Sequence, residues 1–139
     1  MSPRLAALIL AAALLFAAAT DYIPAFIDQD GQVFGLFRLD VYKDALHVAS
    51  GLWAAAAAVT SRRAAILFLR IFGLLYFVDG VFGVFTGSGY LDLSIMTQGI
   101  RNVPASIKFL SSLPHLGLGA FASAAGWMAS DPSRREAVT

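Results

Sequence analysis

The stretch KDALHVASG, Lys43–Gly51, opens an apolar run that continues to about residue 59. A shorter echo, SLPHLGLG at residues 112–119, opens a second apolar run. Both follow the pattern polar-x-x-His-x-x-x-Gly, and they contain the only two histidines of the chain, His47 and His115. We predict that each histidine lies near the start of a membrane helix, so the two motifs organise both the fold and the candidate site.

The composition of the chain is typical of a membrane protein. Hydrophobic residues make up 58% of its 139 residues and charged residues 14%, against about 25% charged residues in an average soluble domain. The formal net charge of +1 gives no sign of a nucleic-acid partner. The chain has no cysteine, which excludes disulfides, thiol catalysis and thiolate metal ligands.

Four apolar stretches predict an all-α fold, a four-helix transmembrane bundle built as two helical hairpins. The predicted helices cover about residues 5–23, 41–59, 64–85 and 112–129, and about 20 apolar residues suffice to cross a bilayer. The connection 86–111 mixes apolar and polar residues, and a structureless loop of that length is uncommon. It therefore predicts a short interfacial segment between the third and fourth helices.

The last helix is expected to begin at Ser111 or Ser112, because serine is a good N-cap and Pro114 would then lie in the first turn. These bounds divide the chain into a transmembrane domain, residues 1–130, and a polar cytoplasmic tail, residues 131–139.

The first apolar stretch has an alternative interpretation as a signal peptide. Arg4 would form its basic region, residues 5–19 its apolar core, and Ala17–Ala19 its cleavage signal. We expect a retained membrane helix instead, ending before Pro24.

Basic residues predict the orientation in the membrane. Arg4, the Arg62–Arg63 turn and the Arg134–Arg135 tail would share one side, whereas the first loop is mainly acidic. The expected protein is multi-pass, lies in the bacterial cytoplasmic (inner) membrane and has both termini in the cytoplasm. Within the first loop, the apolar segment Val33–Phe37 is expected to lie on the membrane surface or to fold over the mouth of the bundle.

Three ionisable residues on three helices are predicted to reach a similar depth. Helices two and four enter from the outer side, so His47 and His115 lie one or two turns below it. Asp79 lies about 15 residues along the third helix, about 22 Å at the usual rise per residue, within about two turns of the same surface. Asp44 precedes His47 by three residues on the same helical face. Asp79, His47, His115 and Asp44 form the predicted polar clasp, in which Asp79 accepts a hydrogen bond from one of the histidines.

An ionisable residue inside a membrane is by default a functional hypothesis, so the histidines have an alternative role as ligands. His47 and His115 on different helices could supply the axial ligands of a b-type haem, with Gly51 and Gly119 leaving room for the macrocycle. A divalent metal is a further alternative and would need carboxylate donors beside the histidines. The candidates are Asp79, Asp44 and Asp21.

The sequence places no catalytic group of residues. Ser111 and Ser112 lie near His115, but spacing places no third member of a triad. The glycines at 80 and 83 lie within a helix and are not followed by the Gly-Lys-Ser/Thr of a phosphate loop. The chain is therefore expected not to be an enzyme, and a proton path is the lowest-ranked alternative.

Several of these motifs together resemble a known family. They are Phe34–Phe37, Asp44-x-x-His47-x-x-x-Gly51, the basic turn, Gly73–Tyr76, and His115 at the start of the last helix. The pattern resembles small bacterial four-helix integral membrane proteins that are classified only as a domain of unknown function, and it covers about residues 1–129. The resemblance implies a four-helix fold, an uncleaved first helix and a doubled hairpin, and it implies no activity. The family pattern has Asn three residues before each histidine, where this chain has Asp44 and Ser112.

Taken together, these features predict a structural or accessory subunit, or an interaction protein, without intrinsic catalytic activity. Its expected partners are the lipid bilayer and either a second copy of the chain or a larger membrane complex. The alternative is a redox subunit that binds a cofactor through His47 and His115.

Overall fold

The computed structural model describes residues 1–38 and 40–129. These residues form five α-helices and no β-strand, which confirms the all-α prediction. The helices are α1 (Pro3–Thr20), α2 (Val41–Thr60), α3 (Arg62–Thr86), α4 (Ser94–Thr97) and α5 (Ala105–Met128). The predicted tail, residues 131–139, lies outside the described residues.

Side-chain caps fix the ends of the first three long helices. Ser2 caps α1 by accepting from the Leu5 N–H, and Asp40 caps α2 by accepting from two backbone N–H groups of its first turn. Ser61 ends α2 and also caps α3 by accepting from the Ala64 N–H at 3.0 Å. Such oxygens satisfy donors that a helix N-terminus leaves unpaired, so these starts are encoded locally.

The predicted start of the last helix is wrong. The helix α5 begins at Ala105, six residues before Ser111, and Pro104 is its N-cap residue. Ser111 and Ser112 instead donate their hydroxyls to the Lys108 carbonyl one turn back, at 3.1 and 2.8 Å. Pro114 therefore lies inside the helix, where its ring removes one backbone donor.

Smaller differences concern the first helix and the two connections. The helix α1 ends at Thr20 rather than near residue 23, and Pro24 begins a separate 3-10 turn. The connection predicted to contain an interfacial segment holds the single helical turn α4 and the first two turns of α5.

The long helices pack mainly as two antiparallel pairs, α1 with α2 and α3 with α5. In the first pair, Arg4 at the start of α1 donates to the carbonyls of Ala58 and Val59 at the end of α2. Small residues dominate this contact, which lets helices approach closely; the buried ones include Ala6, Ala7, Ala11, Ala54, Ala57 and Ala58.

Glycines set the distance between α3 and α5. A Cβ at Gly73 would stand 2.5 Å from the Ser123 nitrogen, and one at Gly119 would collide with the Phe77 backbone. The glycines at 73 and 80 on α3, and at 119 and 126 on α5, are each seven residues apart and so share one helix face. The pair therefore holds its backbones nearly in contact along two turns.

Two of the helices, α1 and α3, are long and apolar enough to cross a membrane. Many of their large apolar side chains face outward, among them Leu8, Phe16, Leu67, Leu74 and Phe85. Large apolar side chains exposed in this number, thirty among the described residues, suit an apolar surrounding better than water.

Candidate polar clasp and cavity

The central contact of the candidate site joins α3 to α5. The Nδ1 atom of His115 lies 2.5 Å from the Oδ2 atom of Asp79, and the Asp79 side chain is 2% exposed. Gly80 packs against Leu116, and Asp79 and His115 immediately precede these two residues, so the register of the glycine-mediated pairing brings Asp79 and His115 together. The sequence left open which histidine Asp79 would contact, and in the structure it is His115.

The other oxygen of Asp79 binds the connection that follows α3. Its Oδ1 atom accepts from the backbone N–H groups of Tyr90 and Leu91, at 2.7 and 2.9 Å. With three donors the carboxylate is well satisfied as an anion. Because an ionised carboxylate can only accept hydrogen bonds, the Nδ1 atom of His115 is the donor in this contact.

His47 lies beside this pair without joining it by a hydrogen bond. The His47 and His115 ring centroids are 6.3 Å apart, with the ring planes at 85°. His47 is 9% exposed, and its Nδ1 atom is buried with no hydrogen-bond partner among the described residues. A buried unpaired polar atom is unusual.

Asp44, the fourth residue of the predicted clasp, pairs with a residue at the end of α1. Its Oδ2 atom accepts from the Tyr22 hydroxyl at 3.1 Å, and its Oδ1 atom is buried without a partner in the described chain. The hydrogen bond to Asp44 raises the pKa of Tyr22 above its ordinary value, because it favours the protonated phenol. Asp44 thus links α1 to α2 instead of linking α2 to Asp79.

Tyr76 connects the clasp to α2 and to the aromatic row on α3. Its hydroxyl lies 3.2 Å from the Ser50 hydroxyl on α2, and its ring centroid is 4.8 Å from that of His115. The Tyr76 ring also stacks on Phe72, with the centroids 4.0 Å apart, and Phe72 stacks on Phe68 with the centroids 5.1 Å apart. The aromatic row is therefore core packing, which orients the His115 ring.

A cavity of about 650 Å³ lies above the clasp, where the N-terminal half of α2 and α5 meets the C-terminal half of α3. His47, Asp79 and His115 line it, together with segments of both long connections. The first loop also lines the cavity through its segment Val33–Phe37. This segment therefore folds over the mouth of the bundle, which is one of the two placements that the sequence predicts for it. Isolated bridges of Val33 to Ile27 and to Phe37 hold that fold in place.

Part of the cavity wall was not predicted from the sequence. Asp92 is 6% exposed, lies 4.0 Å from the Lys43 ammonium, and accepts from the Ser94 N–H at 2.9 Å. The Ser94 hydroxyl is buried and has no partner in the described chain. The spacing Asp-x-Ser is a turn signal, but the sequence does not show which helices that turn lies against.

The structure constrains the cofactor alternatives. Within residues 1–38 and 40–129, no group of three or more His, Asp or Glu side chains is placed to hold a metal ion. The room predicted beside the two motif glycines is also filled, because Leu15 packs against Gly51 and the Phe77 backbone against Gly119. A macrocycle would have to use the cavity on the other side of the histidines.

One comparison with known proteins gives a match. The family model described as Domain of unknown function (DUF4383) matches residues 4–128. Neither the curated proteins nor the solved structures contain a match to the chain. The family match covers nearly the whole chain, including both histidine motifs, and so confirms the resemblance to a family classified only as a domain of unknown function. The chain therefore belongs to the DUF4383 family, a domain of unknown function.

Proposed function

We propose that this chain is a non-catalytic integral membrane protein that serves as a structural or accessory subunit. Four long helices would cross the bacterial inner membrane as two hairpins, α1 with α2 and α3 with α5. A polar clasp near the outer face would fix the second hairpin to the connection that follows α3. Its partners would be the bilayer and a second copy or a larger membrane complex.

The outward-facing apolar side chains support a transmembrane placement. The helices α2 and α5 contain 20 and 24 residues, about 30 Å or more at 1.5 Å per residue, which matches a bilayer core. Each lies along one of the two more apolar helices. Because α2 and α5 each pack along a helix that would cross the membrane, they would cross the same membrane beside it.

The distribution of charge supports the orientation with both termini in the cytoplasm. The end of the bundle at the α2–α3 turn carries Arg4, Arg62, Arg63 and Arg70, and Arg70 donates to the Gly126 carbonyl near the end of α5. The opposite end carries six of the seven acidic residues of the described chain, all except Asp79, together with the four basic residues Arg38, Lys43, Arg101 and Lys108; the six are Asp21, Asp28, Asp30, Asp40, Asp44 and Asp92.

Cysteine labelling tests this orientation directly, because the natural chain has no cysteine. Gln29→Cys lies in the exposed first loop and Thr60→Cys at the exposed end of α2. A membrane-impermeant maleimide added to intact cells should label Gln29→Cys and not Thr60→Cys. Labelling of both sites would contradict a transmembrane chain, and the reverse pattern would contradict the orientation.

The single observation that carries the structural role is the saturated Asp79 carboxylate, which joins α3, α5 and the intervening connection. Asp79→Asn should lower the free energy of unfolding in detergent, since hydrogen bonds to charged groups contribute about 1.5–3 kcal/mol. Asp30→Asn is the matched control, because Asp30 lies exposed in the first loop. Equal stability of Asp79→Asn and Asp30→Asn would refute the clasp.

Further support for a non-catalytic role comes from the serines beside His115. Both hydroxyls donate to the Lys108 carbonyl, so neither is poised as a nucleophile activated by a histidine. The His115 ring is directed by Asp79, which in this proposal is a structural contact.

A second candidate function is a haem-binding redox subunit, favoured by the 6.3 Å separation of the two imidazole rings. An absorption spectrum of the purified protein, oxidised and then reduced, with metal analysis of the same sample, tests it. A Soret band lost in both His47→Ala and His115→Ala would support this candidate. A colourless, metal-free preparation from cells well supplied with iron would eliminate it.

A further inference from the structure

The cavity above the clasp is large enough for a small ligand. Its volume of about 650 Å³ falls within the roughly 300–1,000 Å³ of typical ligand sites. Its walls come from the end of α1, the first loop, the start of α2, the end of α3, the connection that contains α4, and the middle of α5. In the proposed membrane placement this end of the bundle is the outer interface, where a ligand could enter from the lipid.

The charged side chains that line this cavity are three cations and two anions. The cations are Arg38, Lys43 and Arg101, and the anions are Asp79 and Asp92. Even with both histidines neutral, the walls therefore carry more positive than negative charge. The other carboxylates that the described chain places at this end do not line the cavity; they are Asp21, Asp28, Asp30, Asp40 and Asp44.

Both anions and one of the cations already have partners within the protein. Asp79 accepts from His115 and from two backbone N–H groups. Asp92 lies 4.0 Å from the Lys43 ammonium, which also lies 3.1 Å from Asp40. The two carboxylates in the wall are thus largely compensated, and the remaining positive charge belongs to the arginines.

The two arginines of the wall end on backbone carbonyls instead of carboxylates. Arg101 is partly buried, and its Nη1 atom lies 3.5 Å from the oxygen of Gly87, which lines the cavity as well. Arg38 is exposed, and its Nη2 atom lies 3.3 Å from the Asp30 carbonyl oxygen. Neither forms a salt bridge with a carboxylate of the described residues. Since a guanidinium has five N–H donors, one long contact leaves most of the Arg101 donors available to a ligand.

A third cation adds to the positive charge beside Gly87. A Cβ added to this glycine would stand 3.0 Å from the Arg101 Cβ atom and 3.3 Å from the Lys108 Cγ atom, so both side chains flank it. The Lys108 ammonium donates to the Phe85 carbonyl at 3.2 Å and has no salt bridge within the described part of the chain. Because a planar guanidinium matches the oxygens of a carboxylate or phosphate, this part of the wall favours an anionic oxygen group.

Another part of the wall is apolar. Two of its side chains, Phe16 and Phe34, are 54% and 58% exposed, so they lie at the rim where the cavity meets the apolar exterior of α1. An apolar chain bound there could lie partly in the cavity and partly in detergent or lipid. The apolar wall comes from the end of α1, the first loop and α2; it includes Phe16, Val33, Phe34, Leu36, Phe37 and Leu46.

We propose that this cavity binds an amphiphile with an anionic oxygen head group and an apolar chain, as in a phospholipid or a fatty acid. The head group lies at Arg101 and Arg38, and the chain lies along Phe16 and the first-loop phenylalanines. The inference goes beyond the structural role proposed above and does not depend on it. Loss of the clasp would be seen as reduced stability of Asp79→Asn, whereas failure of this proposal would be seen only in ligand binding.

The test is binding of dodecyl phosphate and, separately, of dodecanoate to the full chain purified in a non-ionic detergent. Native mass spectrometry and the shift in thermal unfolding midpoint measure it. Saturable binding of one molecule per chain is expected, and the tighter of the two probes assigns the head group to phospholipids or to fatty acids. Inorganic phosphate and dodecanol are the control ligands, because one lacks the chain and the other lacks the charge. Both should bind at least about tenfold more weakly.

Substitution of the arginines tests where the head group lies. Arg101→Gln should weaken binding about tenfold or more, the effect of hydrogen bonds lost to a charged group. Arg38→Gln should weaken it by up to about fivefold, since exposed ion pairs contribute less. The matched control is Arg63→Gln, which makes the same change of charge in the exposed first turn of α3, away from the cavity, and should bind as the natural chain does.

Three results would overturn the proposal. Absence of saturable binding, or equal binding by both arginine variants and Arg63→Gln, would overturn the site. Dodecanol binding as tight as that of the charged probes would overturn the anionic head group, and equally tight binding of inorganic phosphate would overturn the apolar chain. Melts without ligand check that each variant folds, and Arg38→Gln carries the comparison if Arg101→Gln is unstable.

Discussion

Replacing Gly119 by alanine should separate α3 from α5, and Gly117 on the same helix supplies the control. An added Cβ at Gly119 would stand 2.7 Å from the Phe77 Cα atom and 2.8 Å from its Cβ atom, whereas one at Gly117 would meet nothing within 4 Å. The obstacle at Gly119 is backbone and cannot rotate away, so the two helices would have to move apart.

The expected magnitudes follow from two opposing effects. Alanine in place of a helical glycine stabilises by about 0.5–1 kcal/mol, and Gly117→Ala should show that gain alone. The gain applies at both helical positions and cancels in their comparison, so Gly119→Ala should be less stable than Gly117→Ala by the overpacking cost alone, about 1–3 kcal/mol. Reversible denaturation of both variants in the same detergent measures the difference, and equal stability would refute the close packing of α3 on α5.

Two further predictions concern contacts at the acidic end of the bundle and beside the clasp. Tyr76→Phe should lower the free energy of unfolding by about 1 kcal/mol, the usual net contribution of one hydrogen bond, because it removes the contact with Ser50 while keeping the stacked ring; a thermal melt in detergent unchanged from that of the natural chain would contradict this. Burial acts to raise the pKa of Asp40, but the backbone and ammonium hydrogen bonds from Lys43 outweigh it and lower the pKa. The ionised Asp40 therefore stabilises the fold above about pH 4, near the unfolded pKa, and this contribution is lost as the pH falls through the lowered folded value. The stability difference between the natural chain and Asp40→Asn should shrink accordingly below about pH 4, and a difference that stays constant down to pH 2 would be inconsistent with it.

The helices could be predicted because their signals are local. In the structure, Asp40 before an apolar run and Ser61 before Arg62–Arg63 both act as side-chain caps, which are local features of the sequence. The start of α5 could not be predicted in this way, because Pro104 caps it without a side-chain hydrogen bond and the two serines that look like caps bond backward within the helix. Their neighbour Pro114 is tolerated in the helix interior, a position that the sequence rule disfavours.

Part of the candidate site could also be predicted from depth. Counting residues from the helix ends predicts that Asp79, His47 and His115 lie at a similar depth in the bundle. Which of these side chains touch depends on how each helix is rotated about its own axis. That rotation follows from the glycine contacts between α3 and α5, which direct Asp79 to His115 and leave His47 beside them. The sequence does not predict Asp92 and Ser94 as part of the site. They belong to the connection after α3, and the path of that connection in space cannot be read from the sequence.

The most direct measurement of the clasp is a double-mutant cycle between Asp79→Asn and His115→Phe, with the free energy of unfolding measured in one detergent. The asparagine carbonyl can still accept from the Tyr90 and Leu91 N–H groups, so the cycle isolates the contact with His115. A structural clasp predicts a coupling energy of at least about 1.5 kcal/mol. Additive effects, with a coupling below about 0.5 kcal/mol, would contradict a stabilising contact between Asp79 and His115.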